Sequence, residues 1–278
     1  MPVYQLHCPS IFSLKETVES HGWFELEPWR WDGEFLSRKD TVGTWHGTIT
    51  VQQVSGYELR VYTDSEAPIE ILGLVNRWLS IDWDTTAFQS LVTQINPSIA
   101  AFLNAGGGRL LRGSCFYEDL VKTICTINTK WFQTRKMLER LVEIGGGYFP
   151  SPKLLLDFGF QQIGDRCKLG FRAHTLENAI QSLMVTGKLF PDGTADESRI
   201  SYSDLIEIKG IGPYAAAHCM VLLHDFNHIP IDSEVTAYLL RIGVDPSEAK
   251  QYFSHWGEYP FLGYKLGRIV EGKNWAGD

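Results

Sequence analysis

Between residues 29 and 63 the apolar positions fall in short runs, WRWDGEFLSR, WHGTITVQQV and YELRVYT, broken by Asp32-Gly33, Gly43 and Ser55-Gly56. Runs rich in Trp, Val, Ile, Thr and Tyr, separated by turn residues, predict strands joined by tight turns. We read an antiparallel meander, packed on a helix over about residues 13–20. After Pro68 the spacing of apolar positions becomes helical and stays so. The segments 116–128 and 131–145 read as consecutive helices, the second closed by Gly145-Gly146-Gly147. Ser151-Pro152 predicts a capped helix start, and residues 174–187 form another amphipathic helix. Residues 187–200 read as a loop. Residues 202–226 read as helix, tight turn around Lys209-Gly210-Ile211-Gly212, and helix. A helix over 233–244, a last short helix near 246–254 and an aromatic C-terminal segment complete the chain. The expected class is α+β: an N-terminal antiparallel sheet domain with flanking helices (1–105), then a mostly helical body (106–278).

Composition narrows the function classes. A chain of 278 residues that is 44% hydrophobic, with 9 Trp, 11 Tyr and 15 Phe, is long enough for one large core or two modest ones. No apolar run approaches the roughly 18 residues of a membrane span, and the N-terminus lacks the features of a secretory signal. These features predict a soluble intracellular protein, with monomer as the default state. The five cysteines, Cys8, Cys115, Cys125, Cys167 and Cys219, contain no close pair. That spacing argues against a zinc ribbon or cysteine-ligated iron–sulfur cluster and for scattered reduced thiols. His224 and His228 lie four apart but lack the acidic or cysteine partners of a zinc site. Net charge is −8, unevenly spread: residues 109–172 carry 11 basic against 6 acidic side chains. A local basic face binds phosphates even on an acidic protein.

The most informative segment is 205–232, LIEIKGIGPYAAAHCMVLLHDFNHIPID. Gly210 and Gly212 permit a sharp turn and close approach of another molecule. Pro213 suits the first position of the next helix. Lys209 and the N–H groups of Gly210, Ile211 and Gly212, at the positive end of that helix, make a phosphate-sized anion site. Asp232 follows Ile229-Pro230-Ile231, 20 residues after Gly212.

The order LxxIxGIGxxxA, then apolar-Pro-apolar-Asp, resembles the helix-hairpin-helix (HhH-GPD) DNA glycosylases. Residues 109–128 are similar to that family's helix entering a DNA-facing loop, and KLGFRAHTL (168–176) to its wedge-bearing turn. The N-terminal meander resembles the extra sheet domain of the alkyladenine and 8-oxoguanine branches. The resemblance implies double-stranded DNA containing a damaged base as partner, in the cytoplasm or nucleoid, or the nucleus in a eukaryote. It also implies base flipping, with Asn128 filling the vacated space, Phe171 wedging beside it and Arg172 bonding the orphaned partner base. Gln133 stands where the 8-oxoguanine branch commonly has a second partner-reading arginine. The ordinary alternatives are a helix cap for Asn128, core for Phe171 and a surface charge for Arg172.

Asp232 is the expected catalytic carboxylate, stabilising oxocarbenium character and orienting water; an N-cap of the 233–244 helix is its structural alternative. The family's lyase lysine falls at Tyr214, which cannot form a Schiff base, so the resemblance implies a monofunctional, water-using enzyme. Tyr214 and His218 share a helix face and would line the base pocket, or pack with Ala215–Ala217. Trp256, Tyr259 and Phe261 fit pocket or core equally. Cofactors are expected to be none, apart from a structural Na+ or K+ implied by the family at the carbonyls of Ile206, Ile208 and Ile211. An alkylated purine is the expected lesion. The alternatives are an 8-oxoguanine-type enzyme with altered partner preference, and a non-catalytic reader of damaged DNA.

Overall fold

In a computed structural model, which describes residues 1–272, the chain divides into two compact units. Of the described residues, one unit comprises Met1–Cys115 and Trp131–Pro150, and the other comprises Phe116–Lys130 and residues 151–272. Residues 273–278 of the expected helical body lie outside the described residues.

The first unit is built on a five-stranded antiparallel sheet: β1 (Val3–His7), β2 (Arg30–Trp31), β3 (Phe35–Val42), β4 (Trp45–Ser55) and β5 (Glu58–Thr63), in spatial order β1-β5-β4-β3-β2. The expected meander is present from β2 to β5. In addition β1 joins the edge beside β5, in the register Tyr4 opposite Val61 and Leu6 opposite Leu59. Alternation puts Leu36, Ile49, Val51, Leu59 and Val61 on one fully buried face. The first helix, α1 (Leu14–Val18), is capped by Ser13, whose hydroxyl accepts from Glu16 N–H. Helix α2 (Ile71–Trp78) buries Ile71, Val75 and Trp78 along one stripe. Trp78 meets Trp29 edge-on at 5.0 Å, and the buried Arg38 guanidinium of β3 lies over both rings, 4.5 Å from Trp29 and 5.5 Å from Trp78. Its Nε is 3.0 Å from Asp40 Oδ2, so this buried cation is both paired and stacked on π faces. Helices α3 (Thr86–Ile95) and α4 (Pro97–Asn104) follow, the latter capped by Asn96.

The chain then supplies α5 (Phe116–Thr126) to the second unit and α6 (Trp131–Ile144) to the first. The second unit continues with α7 (Pro152–Phe158), α8 (Phe160–Cys167), α9 (Arg172–Val185), α10 (Tyr202–Ile206), α11 (Pro213–Leu222), α12 (Ser233–Arg241), α13 (Ala249–Tyr252) and α14 (Pro260–Val270). Ser151 caps α7 by accepting from Leu154 N–H, with Pro152 at the first helical position. Helix α5 is buried at every residue from Phe116 to Cys125, and α11 and α9 pack against it. Helix α11 is apolar nearly all round and buries Ala215, Ala216, Ala217 and Cys219–Leu222. The expected α+β layout is therefore observed.

Helix α14 is a correction: the aromatic C-terminal segment is helical, and it closes the core of the second unit. Pro260 and two interior glycines mask it in the sequence. A Cβ on Gly263 would lie 2.4 Å from the Trp256 ring, so glycine admits the indole against the helix backbone. Trp256 and Phe261 are core, Phe261 stacking on Phe226 at 6.3 Å.

Candidate active site and nucleic-acid interface

The turn between α10 and α11 is held by a short ladder. Leu205 carbonyl accepts from Ile208 N–H at 3.1 Å and Ile208 carbonyl from Ile211 N–H at 3.0 Å. Gly210 has φ +100°, and a Cβ there would lie 2.3 Å from Thr175 Oγ1 on α9. Both the backbone and the neighbouring helix therefore require glycine at this position. Gly212 differs: its φ is −98°, and a Cβ would meet open space. Asn178 Nδ2, one turn along α9 from Thr175, donates to Lys209 carbonyl at 3.1 Å. The Lys209 side chain is exposed, while Ile211 is buried. Gly210→Ala is expected to destabilise the protein by about 1–3 kcal/mol, the scale of one strained backbone position; denaturant unfolding beside wild type measures it.

One turn before Thr175, α9 begins at Arg172, with Phe171 as its N-cap. Phe171 is 51% exposed, whereas Arg172 is buried. The Arg172 guanidinium lies 4.6 Å from the Phe171 ring centroid and reaches the loop after α5. Its Nε and Nη2 donate to Ile127 carbonyl, Nη2 also to Asn128 carbonyl at 3.0 Å, and Nη1 to Leu169 carbonyl at 3.2 Å. Asn128 is exposed, with φ +49°, a left-handed conformation that asparagine tolerates better than most residues. The three expected DNA-inserting residues thus form one cluster, in which Arg172 addresses carbonyls. Gln133 lies exposed on α6, in the other unit.

A second cluster forms around Asp232. Its carboxylate caps α12, Oδ1 accepting from Val235 N–H at 2.8 Å, so the structural role weighed from sequence is present. Burial pushes its pKa upward, against the stabilising N–H groups of Val235 and Glu234; Glu234 adds repulsion and Arg268 attraction. Tyr214 feels the Asp232 charge, and its phenol is pushed up to about 12, chiefly by burial. Tyr214 Oη lies 3.2 Å from Thr126 Oγ1, tying the start of α11 to the end of α5. The Tyr214 and His218 rings are 5.9 Å apart. His218 is lowered to about 4 by burial, then by Lys265, and so is neutral near pH 7.

Sequence reasoning missed the cationic side of this cluster. Lys265 on α14 is 1% exposed, and its amine is driven well down by burial and by Arg268 while Asp232 opposes the shift. Arg268 Nη1 donates to Tyr264 Oη at 2.8 Å, and Nη2 lies 3.5 Å from Glu234 Oε2 beside Asp232. The signal available in the sequence was one lysine inside PFLGYKLGRIV, and only recognition of that segment as a buried helix gives it meaning.

Among the described residues no group of three His, Cys, Asp or Glu side chains could hold a metal ion, and all five cysteines are free thiols. Cys125 and Cys219 are raised to about 12 by burial, which makes them poor nucleophiles. No described helix is long and apolar enough to cross a membrane.

No family model and no curated protein matches the chain. Solved structures do match. An 8-oxoguanine glycosylase/lyase from Clostridium acetobutylicum, complexed with double-stranded DNA carrying cytosine opposite 8-oxoG, is 16% identical with TM-score 0.67, over 97% of this chain and 98% of that one. MBOgg1, complexed with a low-affinity DNA ligand, is 18% identical with TM-score 0.70, over 97% and 96%. A 3-methyladenine DNA glycosylase from Archaeoglobus fulgidus is 13% identical with TM-score 0.74, over 96% and 98%. The chain has the fold of the helix-hairpin-helix DNA glycosylases.

Proposed function

We propose that this protein is a DNA glycosylase that turns a damaged base out of double-stranded DNA and hydrolyses its N-glycosidic bond with water, without cleaving the strand. The observation that carries the reading is the half-buried Asp232 carboxylate, fixed at the start of α12 within reach of the Tyr214 phenol. A fixed carboxylate in a partly dry site stabilises the positive charge that grows on the sugar as the base departs, and it orients or deprotonates the attacking water. The cap N–H groups, and more weakly Arg268, favour its ionised form against burial. With Tyr214 at the hairpin, no amine is offered at the position from which the resembling lyases attack the sugar.

DNA would lie on the hairpin and on the Asn128–Phe171 tip. Because Ile211 N–H is spent on Ile208 carbonyl, phosphate falls to Lys209 and to the N–H groups of Gly210 and Gly212. Gly212→Ala is expected to weaken duplex affinity while leaving thermal unfolding unchanged, since its Cβ enters only the space a phosphate would use. The donors for a hairpin alkali ion fit in kind: the carbonyls of Ile206, Ile208 and Ile211 are hard neutral oxygens, and Ile208 keeps a second lone pair beyond its bond to Ile211 N–H. Such an ion would add positive potential at the phosphate.

For the lesion, the aromatic face of Tyr214 supports an alkylated, electron-poor purine. A second reading, an oxidised purine such as 8-oxoguanine, is favoured by the positive potential of Arg268 on the Asp232 side of the cluster, which disfavours a cationic base. The experiment uses end-labelled duplexes carrying 8-oxoguanine, hypoxanthine or uracil, together with methylated DNA, each read with and without hot alkali. Product appearing only after alkali is expected, and the lesion that yields it selects between the two readings. Strand breaks without alkali would overturn the monofunctional mechanism. Binding to damaged duplex with no abasic product would make the protein a reader.

A further inference from the structure

We infer that Arg172 is a positioning residue that fixes the Asn128–Phe171 tip from within, and that base removal is consequently indifferent to the base opposite the lesion. The inference rests on the glycosylase reading above. Of the five N–H groups of a guanidinium, Arg172 spends four on carbonyls: Nε and Nη2 on Ile127, Nη2 on Asn128 and Nη1 on Leu169. The side chain is only 7% exposed and is sandwiched against Phe171, 4.6 Å from its ring centroid. Burial of the guanidinium leaves it few ways to exchange those partners, because a buried N–H that loses its acceptor is not compensated by water.

The three acceptors are not an arbitrary set. Ile127 and Asn128 form the loop leaving α5, and Asn128 holds a left-handed backbone that needs outside support. Leu169 lies in the turn before α9, two residues ahead of Phe171. One rigid, planar fork thus ties together two loops distant in sequence and sets the spacing between the exposed amide of Asn128 and the exposed ring of Phe171. Those two side chains are the ones aimed outward. Insertion into a base stack rewards such preorganisation, since a tip that must be ordered on binding weakens the complex. The same bonds withdraw the guanidinium from base edges. A fork committed to carbonyls cannot make the bidentate contact by which arginine distinguishes guanine from other bases.

Arg172→Lys separates the roles, because one ammonium keeps the charge but cannot span three carbonyls. Amide hydrogen exchange of the free protein is measured over residues 126–130, and single-turnover excision is measured with the lesion opposite each of the four bases. Wild type is expected to vary less than about threefold across partners. Arg172→Lys is expected to raise exchange at least about tenfold in 126–130, leave the rest of α5 and α11 protected, and slow excision about 10- to 100-fold equally on all four. Asn128→Gly, whose backbone accepts the same φ and whose carbonyl remains, is expected to keep the protection and lose excision. A strong wild-type partner preference abolished by Arg172→Lys would overturn the inference, as would unchanged exchange in that variant. If no lesion is excised at all, the exchange arm and affinity for an abasic-site analogue opposite each base still decide it, which distinguishes its failure from that of the glycosylase reading.

Discussion

Asp232→Asn is expected to abolish base release, lowering the single-turnover rate by at least about 10³-fold, while the protein stays folded and unfolds at the same or a higher temperature. The two halves come from separable roles of one side chain. As an N-cap, asparagine equals aspartate, and its amide oxygen can accept from Val235 N–H as Oδ1 does. As a charge, it contributes nothing to an oxocarbenium ion or to activating water. General-base and electrostatic stabilisation are each worth roughly 10²–10⁴-fold. The sign of the stability effect follows from the raised pKa. Burial makes the folded state prefer the neutral carboxyl. Its contribution to stability is therefore present at low pH and lost as pH rises through that raised value. At neutral pH wild type carries the cost of an ionised, half-buried carboxylate, and asparagine does not. Activity runs the opposite way: it needs the carboxylate, so excision should rise with pH on a limb lying above the ordinary aspartate range of about 3.9. Calorimetry of both proteins, with excision rates from pH 4 to 8, checks all three statements. Full activity in Asp232→Asn would end the mechanism, and a fall in melting temperature would assign Asp232 to the scaffold.

What the sequence made legible was local. The hairpin glycines, the proline opening α11, the Ser151 cap and the aspartate before Ser233-Glu234 each announce themselves within four or five residues, because turns and caps are decided by nearby backbone groups. Strand β1 gives no such signal. Its five residues have no adjacent turn partner and acquire a role only on pairing with β5, more than 50 residues away. Lys265, and the carbonyls that Arg172 reaches, are not legible for a related reason. The chemistry of a lysine depends on whether water reaches it, and burial is a property of the completed core. Arg172 reads from sequence as a charge free to contact a ligand. Its carbonyl partners at Ile127 and Asn128 lie over 40 residues upstream, and carbonyls leave no trace in side-chain chemistry.

The largest stability effect is expected from the interior of α5. Glu118 Oε1 and Lys122 Nζ are 2.7 Å apart, on side chains 1% and 0% exposed, one turn apart on a helix buried along its length. Lys122→Met leaves a carboxylate in the core without its cation. Breaking a buried pair from one side costs about 3–5 kcal/mol, far more than the pair contributes over an apolar replacement, because the remaining charge is held away from water without the cation that balanced it. For a chain of this size that corresponds to roughly 6–20 °C in melting temperature. Glu118→Leu combined with Lys122→Met removes both desolvation costs, and the double variant should recover most or all of the loss. The effect is non-additive because the two residues touch. Equilibrium urea unfolding of wild type, both single variants and the double variant closes the cycle. A Lys122→Met cost below about 1 kcal/mol would mean that water reaches the pair and that α5 is not the dry centre of the unit. The consequence reaches the candidate site through the end of α5: the helix ends at Thr126, whose hydroxyl meets Tyr214, and runs into the Ile127–Asn128 loop that Arg172 pins. A rotation of α5 that rescued an orphaned Glu118 would displace both. Lys122→Met should therefore slow excision even at temperatures where it remains folded, and the double variant should restore the rate along with the stability.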